Sequence, residues 1–506
     1  MSDASVAALL RSDRNPVVVE APAGCGKTYQ GANYARDIAG TLGRGRVLVL
    51  THTHGACGVF AERTQGLGSK VEIKTIHSLI AQIANAYRGA LGLPENLTTW
   101  AWQNEGEGFA LMATKVASFL VRHPMIGAAL ATRYPVIICD EYQDCDEHQH
   151  TIVMALLRAG ARVRIFGDPL QWIFGGKSAK AARQHLARWD ALKSSGAYDE
   201  LDHPHRWEDG TPKLGEWVLS AREMLKGNGQ INLSPPCPGL TIIRADNELQ
   251  PRIGYRLAKH ARRPLDQAVS ADGFMVLGSR RGRVQNLSSF WRRRIPVWEG
   301  HTRPGLAGLV QAMNDNAGDA YKLAGDLVAF AGSIGVGFTP ASHGERLLRE
   351  ISEGCTKRAT GKPANIQTIA KEVIAEPTHR GVSRALAQLR DLVVNRADGF
   401  GDVVFDHRSE LNDAIRLKEF GCPHEGYAEI VRRRSLAMPK PPPRTLSTIH
   451  KAKGLECDRA VIVAADRDQF GDSYYARCKF YVAISRARTS LTLVVSNANP
   501  SPLVRF

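Results

Sequence analysis

The apolar positions of this chain fall in short unbroken runs. PVVVEA (16–21), RVLVLTHT (46–53), VEIKTIH (71–77), PVIICDE (135–141) and RVRIFGD (162–168) each stop on polar residues or glycine. Runs of this length without alternation mark strands buried on both faces, as in parallel sheets covered by helices. Such strands end on one edge of the sheet, where ligands bind in open α/β folds. After the turn-rich SPPCPG (234–239) the pattern starts again, with LTIIRA (240–245), GFMVLGS (273–279), TLSTIH (445–450), RAVIVAAD (459–466) and SLTLVVS (490–496). Residues 284–294 read as a basic helix, and a further helix carries FYVAISRAR. The proline-rich MPKPPPR (438–444) punctuates the return to strands. The pattern predicts an α/β protein with two parallel-sheet cores, each broken by a mostly helical insertion. The first core takes 1–80 and 130–233, with its insertion at 81–129. The second takes 239–304 and 440–506, with its insertion at 305–439.

The first strand runs into APAGCGKT, which opens the helical stretch KTYQGANYARDIAG. Strand, glycine loop and helix in that order make a P-loop. Ala21, Pro22, Ala23, Gly24, Cys25 and Gly26 wrap their backbone around phosphates, and the two glycines let the N–H groups turn inward. Lys27 reaches the β and γ phosphates, and Thr28 offers a hydroxyl to Mg²⁺. The helix N-terminus adds a favourable dipole. At this point the motif says nucleoside triphosphate and leaves kinase, GTPase and ATPase open.

PVIICDEYQDCDE (135–147) narrows the choice. A wholly apolar strand stops on two adjacent carboxylates, Asp140 and Glu141. Beside a P-loop, the first is placed to hold Mg²⁺ through water. The second is placed to orient and deprotonate an attacking water, which implies hydrolysis.

Composition changes the picture in two places. Lys and Arg number 66 against 50 Asp and Glu, a formal charge of +16. That surplus suits a polyanion such as nucleic acid, or simply a solvated basic surface. Nine cysteines are scattered without a CxxC pair, which suits reduced thiols in a cytoplasmic protein. Cys422 and His424 are too few ligands for a metal. The polar MSDASVAALLRSDRN is no signal peptide, and no run nears the ~18 apolar residues of a membrane span.

Seven motifs in order resemble those of the UvrD, Rep and PcrA family of superfamily 1A DNA helicases. Following the P-loop, they are THTHGA (51–56), TIHS (75–78), DEYQD (140–144), GDPLQWIF (167–174), HPHRW (203–207), TIHKAKGLE (448–456) and YVAISRAR (481–488). The resemblance implies two RecA-like cores with ATP and Mg²⁺ between them, and 3′-to-5′ movement on single-stranded or tailed DNA. By the same resemblance Gln171 senses the γ-phosphate, and Arg206 and Arg486 bracket it. Gly454 and Glu456 lie on the motif that meets the nucleotide, Glu456 at the ribose. Thr53, His77, Ser78, His450 and Lys453 lie on motifs that contact the nucleic-acid strand. Trp172 and Phe174 either stack on bases or belong to the core.

The chain departs from the family's pattern in three places. Residues 1–20 hold no glutamine, where the family reads adenine with one. His205 stands where a tyrosine is usual. WIFGGK is a shortened form of a longer aromatic segment. The choice of base is therefore open. Two functional readings stand beside each other: an autonomous translocase or helicase, and a DNA-sensing ATPase that regulates a partner nuclease. In size and motif order the chain is also similar to the helicase-like subunit of the Gabija anti-phage defence system, which is paired with a nuclease; motif chemistry does not separate the two readings, since both need an intact ATP site.

Overall fold

The structure, a computed structural model, describes every residue except 1, 96, 98–99, 102–106, 246–247, 251–253, 257–258, 301–302 and 438–439. Met438 and Pro439 of the proline-rich punctuation thus lie outside the described residues. Two compact units emerge. One comprises Met1–Gly92, Met112–Trp298 and Lys440–Phe506, and the other Leu93–Leu111 with Glu299–Pro439. The strands of both predicted cores fall in the first unit, while 299–304 of the second core's predicted range groups with the other. The predicted first insertion is divided, since only Leu93–Leu111 groups with the second unit.

The first core is a six-stranded sheet. Its strands are β1 (Val17–Glu20), β2 (Val47–Thr51), β3 (Val71–Thr75), β4 (Val136–Cys139), β5 (Arg162–Gly167) and β6 (Ala197–Glu200). All pair in parallel in the order β3-β2-β4-β5-β1-β6. Val17, Val18, Val19, Val47, Leu48, Val49, Ile137 and Ile138 show no exposed surface, as strands covered on both faces require. The edge strand β6 was not predicted. Its sequence AYDE has no apolar run, and it is only half buried, so pairing with β1 rather than periodicity makes it a strand.

The second sheet has five parallel strands in the order Arg444–Thr448, Phe274–Gly278, Cys457–Val463, Ala487–Ser496, Leu240–Ala245. All five were expected from their apolar runs. The second unit is mostly helical over a core of its own, including Leu306, Leu323, Leu327, Leu347, Ile369, Leu386, Phe400 and Leu417. Among its described residues the strand content is one short antiparallel pair, Gly335–Val336 with Val404–Phe405. Among the described residues no helix is long and apolar enough to cross a membrane.

Two buried charge clusters hold the first core in shape. The guanidinium of Arg164 on β5, 1% exposed, donates to the carbonyls of Leu10 (2.7 Å) and Ser12 (2.9 Å). It thereby fixes the end of α1 (Ser2–Arg11) against the sheet. At the C-terminal edge, Glu20 closes β1 with no exposed surface. It pairs with Arg222 and Lys226 from the helix Pro212–Lys226. It also accepts hydrogen bonds from Trp189 Nε1 and Tyr198 Oη, both at 3.1 Å. Arg222 reaches in turn to Asp168, just past β5, at 3.0 Å. Buried ions survive only when paired in this way.

Burial alone would raise the pKa of Glu20, but Arg222 and Lys226 bring it down to about 2. A carboxylate lowered on folding contributes stability above its unfolded value, near 4.5, and loses it as pH falls towards about 2. Thermal unfolding followed across that window should show a falling Tm. Glu20→Gln should flatten that dependence. It should also lower stability at neutral pH by about 3–5 kcal/mol, since Arg222 keeps its burial and loses a partner. An unchanged pH profile in the variant would contradict the role given to Glu20.

Candidate nucleotide and nucleic-acid site

The loop between β1 and α2 (Lys27–Thr41) carries the P-loop residues. Gly24 and Gly26 both have φ of 78°, a conformation that favours glycine. Gly24 has a second reason to lack a side chain. A Cβ there would lie 2.7 Å from Arg206 Cβ and 2.7 Å from the Trp207 ring. Ala21, Pro22, Ala23 and Cys25 are buried beneath the turn.

The ammonium of Lys27 sits against Glu141 and 3.5 Å from Asp140 Oδ1. Burial opposes its charge, but the two carboxylates raise its pKa above the usual lysine value. Glu141 answers in kind. Burial would raise its pKa, yet Lys27 and Lys453 hold it well below the carboxylate range. Burial raises Asp140 despite Lys27. Glu141 has φ of 53°, a left-handed backbone uncommon for a residue with a side chain. That turn follows β4 directly and brings both acids back towards the P-loop.

The acids continue into a hydrogen-bonded chain. Gln143 donates to Glu141 and accepts from the Asp168 N–H at 3.0 Å. Gln171 donates to Asp168 Oδ2 at 3.0 Å. Asp168 joins Arg222 and Glu20, so the strand ends of β1, β4 and β5 share one polar network. Asp140 Oδ1 is buried and accepts no hydrogen bond. A buried carboxylate oxygen left open in this way is the kind of hard donor that suits a divalent cation.

The second sheet's motifs reach this loop from the other side. The Ala23 N–H donates to Tyr481 Oη at 2.8 Å. Arg206 N–H donates to the Gly24 carbonyl at 3.1 Å. Arg206 also meets Glu456 at 2.9 Å and donates to the Ser485 carbonyl at 2.6 Å. Gly454 takes φ of 79° beside Lys453.

Two side chains expected at ligands are engaged by protein groups instead. Lys453 does not face outward to nucleic acid. Its side chain is 7% exposed and lies 3.8 Å from Glu141. It donates to Asp144 Oδ2 and, at 2.8 Å, to the Gln171 carbonyl. It therefore ties the second core to the acids of the first. Asp144, quoted in the sequence but given no role, is its main partner. Burial raises the Asp144 pKa to about 6 against the pull of Lys453. Arg486 is 1% exposed, and its donors are engaged within its own core. They go to the carbonyls of Val482 (2.8 Å) and Leu455 (2.9 Å) and to Ser485 Oγ (2.7 Å). Burial, then Arg206, lowers its pKa to about 9. The structure does not bring it to Lys27.

The aromatic pair separates by burial. Trp172 is a correction to the expected nucleic-acid contacts. It is buried, with its ring stacked on His185 at 4.5 Å and 6°, and belongs to the core. Phe174 is 54% exposed. Lys453 Nζ lies 5.0 Å from its ring centre and the His450 ring 6.1 Å away. His450 faces Tyr475 Oη at 2.7 Å. Lys479 and Lys177 stand over the Tyr475 ring at 5.3 and 6.0 Å. Burial, with Arg280 and Lys177 nearby, lowers the Lys479 pKa to about 8. Lys177, Tyr475 and Lys479 were not singled out from the sequence. Tyr475 and Lys479 lie on the helix Tyr474–Ile484, Lys479 directly before the FYVAISRAR motif, but no spacing rule marks them.

Thr53, His77 and Ser78 lie exposed just past β2 and β3. Thr53 caps the helix His54–Arg63 by accepting from the Ala56 N–H at 3.2 Å. Ser78 N–H donates to Thr75 Oγ1 at 3.1 Å, and His77 Nε2 lies 3.4 Å from Gln149. Their local partners are structural, and the structure does not bring them to the Phe174 patch.

Comparison with known proteins agrees with this layout. Residues 5–177 match a family model described as AAA domain. Residues 444–494 match that of the UvrD-like helicase C-terminal domain. No curated protein matches by sequence. Among solved structures, 131 chains match. One is the crystal structure of Pif1 helicase from Candida albicans, with 13% identity and a TM-score of 0.31 over 58% of this chain. This chain covers 54% of that one, about half its length. The two family matches fall on the two sheets that meet at Lys27: the first sheet carries the match to an AAA domain, and the second is similar to the C-terminal domain of UvrD-like helicases.

Proposed function

We propose that the chain hydrolyses nucleoside triphosphate between its two cores and uses the cycle to move 3′ to 5′ on single-stranded DNA. One observation carries this reading. Lys27 is held by Asp140 and Glu141, while Tyr481, Lys453 and Arg206 link the two sheets around the same loop. A site built from both sheets changes shape when its ligand changes.

The triphosphate lies along the N–H groups of the P-loop, with Lys27 on its β and γ oxygens. To reach them Lys27 leaves Glu141. That removes the cation which most depresses the Glu141 carboxylate and returns it towards ordinary basicity. Glu141 then orients the attacking water and takes its proton. Asp140 and Thr28 would hold Mg²⁺, which when bound neutralises charge on the phosphates. Arg206 stands beside Gly24 and is placed to stabilise the γ-phosphoryl as charge develops. Gln171, tied to Asp168 and to Lys453, passes the state of the phosphate site to the second core. Arg486 acts as a further cation on the phosphate once movement of the cores frees it from its own carbonyls. The DNA strand runs over the patch of Phe174, Lys177 and His450, which Tyr475 and Lys479 support from beneath. Aromatic rings and cations together suit a stacked, sequence-tolerant strand.

Lys27→Ala should abolish turnover. Glu141→Gln should keep nucleotide affinity and slow a single turnover by about 10²–10⁴-fold; normal turnover in this variant would contradict the water-activating role. Phe174→Ala should raise the Kd for single-stranded DNA by about 1–3 kcal/mol, with unchanged melting. Trp172→Ala should instead lower stability by about 3–5 kcal/mol. The two aromatic variants behaving alike in both measurements would refute their separate placement.

A further inference from the structure

The nucleotide reading leaves one end of the ligand unassigned, and the sheet order says where that end lies. β4, with the acids at its tip, is on one side of β1, separated from it by β5. β6 is on the other side, and the segment after it runs from Leu201 to Arg206. A triphosphate with its γ end at Lys27 and the acids therefore points its nucleoside away from them, towards the β6 side.

There the P-loop is flanked by His205 and Asp3. A Cβ added at Gly26 would lie 3.1 Å from His205 Cδ2 and 4.0 Å from Asp3 Oδ1. Asp3 stands in the first turn of α1 and is held by two side chains, Gln30 and His205. Gln30, on α2 and 6% exposed, donates to Asp3 Oδ1 at 3.0 Å and to its carbonyl at 3.2 Å. His205 Nε2 lies 2.8 Å from Asp3 Oδ2. Ser5 donates to Asp199 at 2.6 Å, and Ser2 to Asp202, which pins this end of α1 to the segment around β6. Yet 34% of the Asp3 side chain remains exposed. Partial burial would raise its pKa, but Gln30 and His205 hold it below the ordinary aspartate value.

An oriented, ionised carboxylate accepts hydrogen bonds and offers none. We infer that Asp3, positioned by Gln30 and His205, reads the base of the bound nucleotide and favours bases that present N–H donors, guanine first. Guanine's N1–H and 2-amino group form a fork that a carboxylate accepts with both oxygens, the arrangement that strengthens charge-assisted pairs. Adenine and cytosine offer one amino group beside a ring acceptor. Uracil offers a single N–H between two carbonyls, whose lone pairs oppose the carboxylate. This inference rests on the nucleotide reading and adds a specificity residue to it.

The test is steady-state kcat/KM of the full chain with single-stranded DNA, using GTP, ATP, UTP and inosine triphosphate, which is guanosine's analogue without the 2-amino group. GTP should exceed UTP by about tenfold or more, the usual weight of one hydrogen bond to a charged group. Inosine triphosphate should fall several-fold below GTP, a comparison that needs no altered protein. Asp3→Asn keeps the shape and adds an amide donor. It should reduce the GTP-to-UTP ratio to within about threefold, mostly through KM. Equal use of all four nucleotides, or an unchanged ratio in Asp3→Asn, would overturn the inference and leave hydrolysis standing. A wild-type chain that hydrolyses none of them would overturn the nucleotide reading itself.

Discussion

A lysine ammonium enclosed as Lys27 is stays charged only beside anions, and the anions available are Asp140 and Glu141. The rest of the first core is arranged around that pairing. β4 must be apolar throughout so that it runs to the sheet centre and delivers two acids at its tip. Glu141 must accept a left-handed backbone to turn back towards the loop. Gln143 then carries the contact to Asp168, and Arg222 carries it on to Glu20 at the end of β1. The strand that leads into the P-loop and the strand that supplies its acids are thus joined by one buried polar network. A partly satisfied network of this kind costs stability, so each member depends on its neighbours.

Lys453 makes the same pairing a matter for both cores. Its ammonium lies near Glu141 and bonds to Asp144 and Gln171. Under the proposed function, phosphates arriving at Lys27 would change the charge that Glu141 sees, and Lys453 is the other cation beside that carboxylate. A ligand shifts a conformational equilibrium only through differential contacts with its states. Here those contacts are concrete: a carboxylate released by one lysine remains beside another that belongs to the opposite sheet. The aromatic and basic patch of Phe174, His450 and Tyr475 starts at that same lysine. This gives a short route from phosphate to strand.

Much of this was legible in the sequence because parallel strands need apolar runs and phosphate loops need glycines. Both cores, the P-loop and the acidic pair are local patterns. What was not legible depends on partners distant along the chain. Arg222 is one basic residue in an ordinary amphipathic helix until Glu20 and Asp168 are seen beside it. Trp172 and Phe174 are equivalent on paper, and only the stacking of His185 on the first separates them. Lys453 and Arg486 lie on motifs whose sequence implies nucleic acid and phosphate, yet their donors close onto protein groups. β6 carries no apolar signal at all, although it sets the side of the P-loop on which His205 and Asp3 stand.

The central claim is that phosphate chemistry at Lys27 is coupled to a nucleic-acid strand held by both cores. Its most direct measurement follows nucleotide turnover and strand displacement together, on duplexes with a 3′ tail, a 5′ tail or blunt ends. The account predicts turnover stimulated by single-stranded DNA and displacement from the 3′-tailed duplex alone. Turnover stimulated by DNA without displacement would point to a DNA-sensing ATPase. Turnover indifferent to every DNA would contradict the coupling.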